Sequence, residues 1–148
     1  MKVIFFDVDG VLNCAKTANP CDRTYILDRT LVVRLQQLVR KTGAKLVMSS
    51  SWRHEPNAMR VFNRSGIVLF DRIGKGSKRE RRRGILRWVK RHPQVERFAI
   101  LDDEDQYFEG LPLFQASPRT GLTADLARDL ANYLNGRSPF TPDNVITS

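Results

Sequence analysis

The chain has 148 residues, which suits one domain with a substantial core and leaves little room for a second module. Hydrophobic residues make up 41% and charged residues 28% of it, so extensive disorder is excluded. No apolar run is long enough to cross a bilayer, and the four apolar residues between Lys2 and Asp7 are too few for a signal-peptide core. We therefore expect a soluble, cytoplasmic protein with no membrane partner, whose oligomeric state the composition leaves open.

Predicted strands and helices alternate along the chain. The strands are short apolar runs at residues 2–6, 46–48, 67–70, 98–101 and 113–115. The helices keep apolar residues at helical spacing over residues 28–43, 56–66, 85–93 and 123–134. This alternation predicts an α/β fold with three α/β/α layers around a parallel, Rossmann-like sheet. We place the domain at residues 1–135 and a Pro-, Ser- and Thr-rich tail without periodicity at 136–148.

Polar side chains follow three of the predicted strands. These segments are Asp7-Val8-Asp9-Gly10, Ser49-Ser50-Ser51-Trp52-Arg53 and Asp102-Asp103-Glu104-Asp105. In parallel α/β sheets ligands bind beyond the carboxyl ends of the strands, so neighbouring strands would bring these groups together. Crowded carboxylates repel one another and favour a hard cation such as Mg²⁺. One Asp would then attack, another would transfer protons, and a serine hydroxyl would hold a phosphoryl group.

The net charge of +9 is concentrated in one segment. Residues 72–91 contain ten Lys or Arg residues and one acid, so the rest of the chain is neutral overall. Such a segment can attract a polyanion, which predicts RNA or DNA ends as partners. The alternative is a solvated helix face that keeps the protein soluble, and the sequence leaves both open. We assign Trp52, which precedes this segment, and Trp88, which lies within it, to packing.

Residues 5–13, Phe-Phe-Asp-Val-Asp-Gly-Val-Leu-Asn, resemble the first motif of the haloacid dehalogenase (HAD) superfamily of phosphohydrolases. The serine run resembles the second motif, the start of the basic helix the third, and Leu101-Asp102-Asp103 the fourth. The motifs occur in family order over roughly residues 1–122. Shorter motifs at 50–53, 85–88 and 120–123 resemble the small HAD domain found in Swiss Army Knife RNA-repair proteins.

The resemblance implies a role for each acid. Asp7 would be the nucleophile and a metal ligand, and Asp9 the general acid/base and a ligand through its backbone carbonyl. Asp102 would also bind the metal, and Asp103 would bind a metal-held water or orient the site. The cofactor implied is Mg²⁺.

The phosphate-binding residues are less sharply defined. In the second motif Ser50 is the first choice and Ser49 the second. In the third motif Arg81 has the spacing that fits the subfamily, and Lys78 is the alternative. Arg53 would meet a substrate phosphate or form an ion pair with a nearby acid.

Together these features predict a Mg²⁺-dependent phosphatase that hydrolyses phosphate monoesters through an aspartyl-phosphate. The chain has no room for a sizeable cap domain, so an open site beside a basic segment favours nucleic-acid ends as substrate. One alternative is a nucleotidase or general small-molecule phosphatase. A second alternative is a non-catalytic nucleic-acid-binding module, against which the full set of acids argues.

Overall fold

The structure, a computed structural model, describes residues 1–137. Five strands alternate with four helices. The strands are β1 (Lys2–Phe6), β2 (Lys45–Met48), β3 (Asp71–Arg72), β4 (Arg97–Asp102) and β5 (Leu113–Gln115). The helices are α1 (Arg29–Thr42), α2 (Pro56–Asn63), α3 (Arg81–Arg91) and α4 (Ala124–Leu134). Short 3₁₀ turns, Ser51–His54 and Lys78–Glu80, precede α2 and α3.

All five strands are parallel and are ordered β3-β2-β1-β4-β5. In the central strand β1, Phe6 pairs with Met48 of β2 and with Leu101 of β4. The residues that follow these three, Asp7, Ser49 and Asp102, therefore lie side by side at the carboxyl edge of the sheet. Within residues 1–137 no further folded unit interrupts the alternation, so the predicted α/β fold without a sizeable cap is confirmed.

The two faces of the sheet carry separate cores. Ile4 and Phe6 face a core formed with α1, α2 and α4, whereas Val3 and Phe5 face a smaller core formed with α3. Because successive side chains of a strand point to opposite faces, residues 3–6 of β1 are all buried on one side or the other, and only Lys2 at its start is partly exposed. This burial explains the uninterrupted apolar run, and it confirms the three-layer prediction.

The predicted strand at residues 67–70 is wrong. The paired segment is Asp71–Arg72, and only Phe70 of the apolar run hydrogen-bonds to β2, through its N–H to the carbonyl of Leu46 at 2.9 Å. Val68 is 84% exposed, so the run does not pack as an interior strand. Since β3 is an edge strand, the sheet requires neither long pairing nor burial there.

The predicted boundary between domain and tail concerns the C-terminal end of the chain. Helix α4 ends at Leu134, but residues 138–148 lie outside the described residues, so this boundary stays a prediction. Across residues 1–137 no helix combines the length and apolar character that crossing a membrane requires.

Candidate active site

Three carboxylates meet at the carboxyl edge of the sheet. Asp7 follows β1, Asp102 ends β4, and Asp103 comes next. One oxygen from each side chain lies within 4.8 Å of the others, an arrangement that could hold a metal ion. The strand register is the cause, because it places the residues after Phe6 and Leu101 side by side.

Asp7 is buried and firmly oriented. Its Oδ1 accepts a hydrogen bond from the N–H of Val8 at 2.9 Å, and its own N–H donates to the carbonyl of Leu101 at 2.9 Å. Its Oδ2 lies 3.4 Å from Nη1 of Arg81. Burial raises the pKa of the Asp7 carboxyl, and the positive charge of Arg81 only partly offsets that rise.

Asp102 is more deeply buried, with no exposed surface. Its Oδ1 accepts a hydrogen bond from the N–H of Glu104 at 3.0 Å, and its Oδ2 lies 3.1 Å from Nη1 of Arg81. Burial, followed by the charge of Asp7, raises the pKa of Asp102 to about 7, against the opposing effect of Arg81. A further positive charge beside Asp102 would therefore favour its ionised form.

Arg81 supplies the cation within the site. It lies in the first turn of α3, is 5% exposed, and bridges Asp7 and Asp102 through Nη1. Its Nε is buried and has no hydrogen-bond partner among residues 1–137. Lys78, the alternative third-motif cation, is half-exposed and pairs with Glu104 at 3.4 Å. The geometry thus places Arg81 at the carboxylates and Lys78 at the rim.

Asp9 differs from the other acids because it is exposed. Nδ2 of Asn13 donates to its Oδ1 at 2.9 Å, and Nε1 of Trp52 donates to its Oδ2 at 3.1 Å. Asn13 also accepts from the N–H of Gly10 at 3.0 Å, which closes the loop after β1. The sequence predicts only packing for Trp52 and assigns no role to Asn13, whereas the structure brings both to Asp9; the signal in the sequence is an Asn four residues after Asp9.

Two glycines allow the loops around the site to approach closely. Gly10 has φ +80°, and a Cβ there would overlap Oδ2 of Asp103. Gly121 has φ +68°, and a Cβ there would lie 2.9 Å from the carbonyl oxygen of Val11. The next residue, Leu122, donates its N–H to that same carbonyl at 2.9 Å. The segment at 120–123 therefore supports the loop that carries Asp9.

The second-motif serines have different environments. Ser49 directly follows β2, donates its N–H to the carbonyl of Phe6 at 3.0 Å, and stands at the level of Asp7. Its Oγ is buried without a hydrogen-bond partner in the described part of the chain. The Oγ of Ser50 instead accepts from the N–H of Trp52 at 3.1 Å and caps the 3₁₀ turn. The unpartnered hydroxyl is therefore that of Ser49.

Arg53 is buried and binds backbone rather than acid. Its Nη1 donates to the carbonyls of Ser49 and Ser50 at 2.9 and 2.8 Å. Its Nε and Nη2 donate to the carbonyl of Gly74 at 3.2 Å, and Nη2 also reaches that of Gly76 at 3.2 Å. Among residues 1–137 it forms no ion pair, so the predicted pairing with an acid is wrong. Arg53 fastens the serine loop to the segment before α3, and its contact with substrate stays a prediction.

The parallel sheet, with acids after β1 and β4 and serines after β2, defines a HAD domain. More narrowly, the chain belongs to the family described as the HAD domain in Swiss Army Knife RNA repair proteins, whose model matches residues 3–127. That match includes every predicted site residue. Searches of curated proteins and of solved structures each found no match.

Proposed function

We propose that this domain is a Mg²⁺-dependent phosphatase that hydrolyses phosphate monoesters at polynucleotide ends through an aspartyl-phosphate on Asp7. The observation that carries the proposal is the contrast between two acids two residues apart. Asp7 is buried against Asp102 and Arg81, whereas Asp9 is held at the surface by Asn13 and Trp52. The buried Asp7, held by Arg81, suits a positioned nucleophile, and the exposed Asp9 suits proton exchange with a leaving group and water.

The donor set fits Mg²⁺. Three clustered carboxylates and one guanidinium leave two negative charges, and all-oxygen ligands suit a hard divalent cation. In this proposal Asp7, Asp102 and Asp103 hold the ion, and the backbone carbonyl of Asp9 completes the protein ligands. When bound, Mg²⁺ would offset negative charge on the carboxylates and on the transferring phosphoryl group.

The first step transfers the phosphoryl group to Asp7. A carboxylate oxygen of Asp7 attacks phosphorus, an O–P bond forms, and the bond from phosphorus to the ester oxygen breaks. Asp9 gives its proton to the departing ester oxygen, so the product leaves as an alcohol. Asn13 and Trp52 hold the Asp9 carboxyl in place, which leaves it exposed to the leaving group.

The second step releases phosphate. Asp9, now ionised, takes a proton from a water molecule, and the water oxygen attacks phosphorus. The bond between phosphorus and Asp7 then breaks, which restores the Asp7 carboxylate and the protonated Asp9. The exposure of Asp9 supports this role, because water reaches it directly.

Two buried polar atoms are suited to the phosphoryl oxygens. Nε of Arg81 and Oγ of Ser49 are buried donors without partners among residues 1–137, and such groups cost free energy until they are satisfied. We assign them to the phosphoryl group, with Ser50 as the alternative. Lys78, exposed at the rim, would meet an outer phosphate, and Arg53 would hold the serine loop in position.

A polynucleotide substrate is supported by the surface that begins beside the site. A groove of about 870 Å³ runs along the outer side of α3. Its lining includes the basic residues Arg79, Arg82, Arg83, Arg87, Lys90 and Arg91. Arg81 belongs to the same helix and points into the site, so one helix would contact both the reacting phosphate and the backbone behind it.

A substrate panel tests the proposal. We expect 5′- or 3′-phosphorylated oligonucleotides to give a higher kcat/KM than mononucleotides or sugar phosphates, and to lose it more steeply with added salt. The Asp7→Asn variant serves as the blank for contaminating phosphatase. Equal rates on mononucleotides would favour a nucleotidase, and oligonucleotide binding without turnover would favour a binding module.

A further inference from the structure

A second cleft lies on the opposite face of the sheet from α3. It is formed by the first turn of α1, the C-terminal end of α2 and the loop at 18–27, and its volume is about 440 Å³. That volume falls in the range of about 300–1,000 Å³ typical of small-molecule sites. None of the three clustered carboxylates lines it, so it is distinct from the candidate active site.

The cleft combines an apolar lining with positive charge. The apolar and aromatic residues that line it include Tyr25, Ile26, Leu27, Val32 and Val61. Arg23, Arg29 and Arg64 also line it, and within residues 1–137 the lining contains no acid. The guanidinium groups of these three arginines form no hydrogen bond or ion pair with the described residues. An apolar body bearing a phosphate satisfies both parts of this lining.

The lining also contacts the residues that hold Asp9. The ring of Tyr25 packs edge-on against Trp52, with ring centroids 5.3 Å apart, and Trp52 donates to the Asp9 carboxylate. The carbonyl of Ile26 accepts from Nδ2 of Asn13 at 3.0 Å, and that nitrogen also donates to Asp9. A molecule in the cleft would thus touch Tyr25 and Ile26, and each of these two residues is in direct contact with a side chain that donates to Asp9.

We propose that this cleft binds an organic phosphate with a flat ring, of the nucleoside monophosphate class, and that its binding alters the environment of Trp52. The ring packs among Tyr25 and the aliphatic side chains, and the phosphate pairs with the arginines. This binding does not depend on the proposed phosphatase activity, so either can fail without the other.

Protection of Cys21 measures binding directly. Cys21 is exposed, is a free thiol and lines the cleft, whereas the other free thiol, Cys14, does not line it. We expect AMP, GMP, CMP or UMP, added in EDTA to prevent hydrolysis, to slow alkylation of Cys21 at least threefold and to leave Cys14 unchanged, as followed by mass spectrometry. Adenosine and inorganic phosphate, each lacking one half of the ligand, should protect less.

Paired variants locate the site. Arg64→Gln should weaken protection about three- to tenfold, because it removes one charged hydrogen-bond donor from the cleft. Arg60→Gln, in the last turn of α2 just before Arg64 but outside the lining, should bind like the parent. If no nucleotide protects Cys21, or if both variants behave alike, the proposed site is wrong.

Tryptophan emission tests the connection to Trp52. Nucleotide binding should change the tryptophan emission of the parent. The change should persist in Trp88→Phe, because Trp88 belongs to α3 and lies in the core on the opposite face of the sheet from the cleft. Binding that protects Cys21 without changing emission would overturn the connection to the Asp9 partners.

Discussion

The carboxylate site is buried and negatively charged overall, whereas the outer face of α3 is exposed and positively charged. In the site, Asp7, Asp102 and Arg81 are each at most 5% exposed, and Arg81 lies within ion-pair distance of both acids. On the outer face, residues such as Arg83 and Arg87 are exposed to solvent. Buried charges interact strongly and specifically, whereas exposed charges are screened by water and salt.

Three consecutive arginines show how closely these two environments adjoin. Arg81 pairs with Asp7 and Asp102, Arg82 donates to the carbonyl of Glu109 at 2.6 Å, and Arg83 is exposed. Each step along an α-helix rotates the side chain by about 100°, so one residue is enough to move an arginine from the site to the surface. We therefore expect changes in the site to act on chemistry and changes on the outer face to act on association.

The largest effect should come from the nucleophile. Asp7→Asn should abolish turnover, because the amide has a similar shape but is a poor nucleophile, and circular dichroism should show the fold retained. Asp9→Asn should lower kcat by about 10²–10⁴, the usual contribution of proton transfer. An Asp7→Asn protein as active as the parent would refute the mechanism.

The metal comes next. Activity should require Mg²⁺ and vanish in EDTA, and Mg²⁺ should raise the Tm of the parent, since an ion that binds only the folded state stabilises it. Asp102→Ala should lose both the activity and the Mg²⁺-dependent rise in Tm. Ca²⁺ should raise the Tm yet support little turnover, because its looser coordination misplaces the attacking carboxylate. Full activity in metal-free buffer would contradict this assignment.

Stability against pH probes the same acids without any reaction. The folded-state pKa of Asp102 is raised to about 7 by burial first and by the charge of Asp7 second, so the folded protein favours its protonated form. Stability should therefore fall as pH rises from 5 to 8 in metal-free buffer, by on the order of 2–4 kcal/mol. The pKa of Asp7 is raised too, and it acts in the same direction.

The matched variant for this measurement is Asp102→Asn, which cannot titrate. Its stability should fall less between pH 5 and 8 in urea titrations without metal. Glu80 and Glu104 do not interfere, because hydrogen bonds lower their pKa values below the usual 4.5. Their titration therefore changes stability mainly below pH 5, outside the measured range. Parallel pH curves for parent and variant would show that Asp102 does not control the slope.

The sequence predicted the sheet and the acids because both follow from local patterns. Apolar runs such as residues 2–6 mark buried strands, and the polar residue after each run must lie at the carboxyl edge. The helix at 28–43 was also predictable, since Asp28 caps it and Gly43, with φ +70°, ends it.

Other features depend on tertiary contacts that no local pattern encodes. Whether Ser49 or Ser50 keeps a free hydroxyl depends on which one caps the following turn. Whether the run at 67–70 forms a strand depends on its place at the edge of the sheet. The binding partners of Arg53 include backbone carbonyls more than twenty residues away. Sequence alone could nominate these residues but could not decide among their partners.

The smallest expected effect concerns the outer face of α3, where exposed charges act additively. Arg79, Arg83 and Arg87 line the groove and are exposed, whereas Arg82 must stay because it supports the loop at 107–109. Replacing the three by Gln should remove up to three phosphate contacts, each worth roughly 0.7–0.9 in the slope of log K against log salt. Oligonucleotide binding should become weaker and less salt-dependent.

The control for this triple variant lies on the other face of the sheet. Replacing Arg40, Lys41 and Arg60 of α1 and α2 by Gln removes the same charge from exposed positions and should leave the salt slope unchanged. Hydrolysis of a small phosphate ester should hardly change in either variant, because Asp7, Asp9 and Arg81 are intact. If the α3 variant keeps the parental slope, the basic face only aids solubility, and a small-molecule substrate becomes the better assignment.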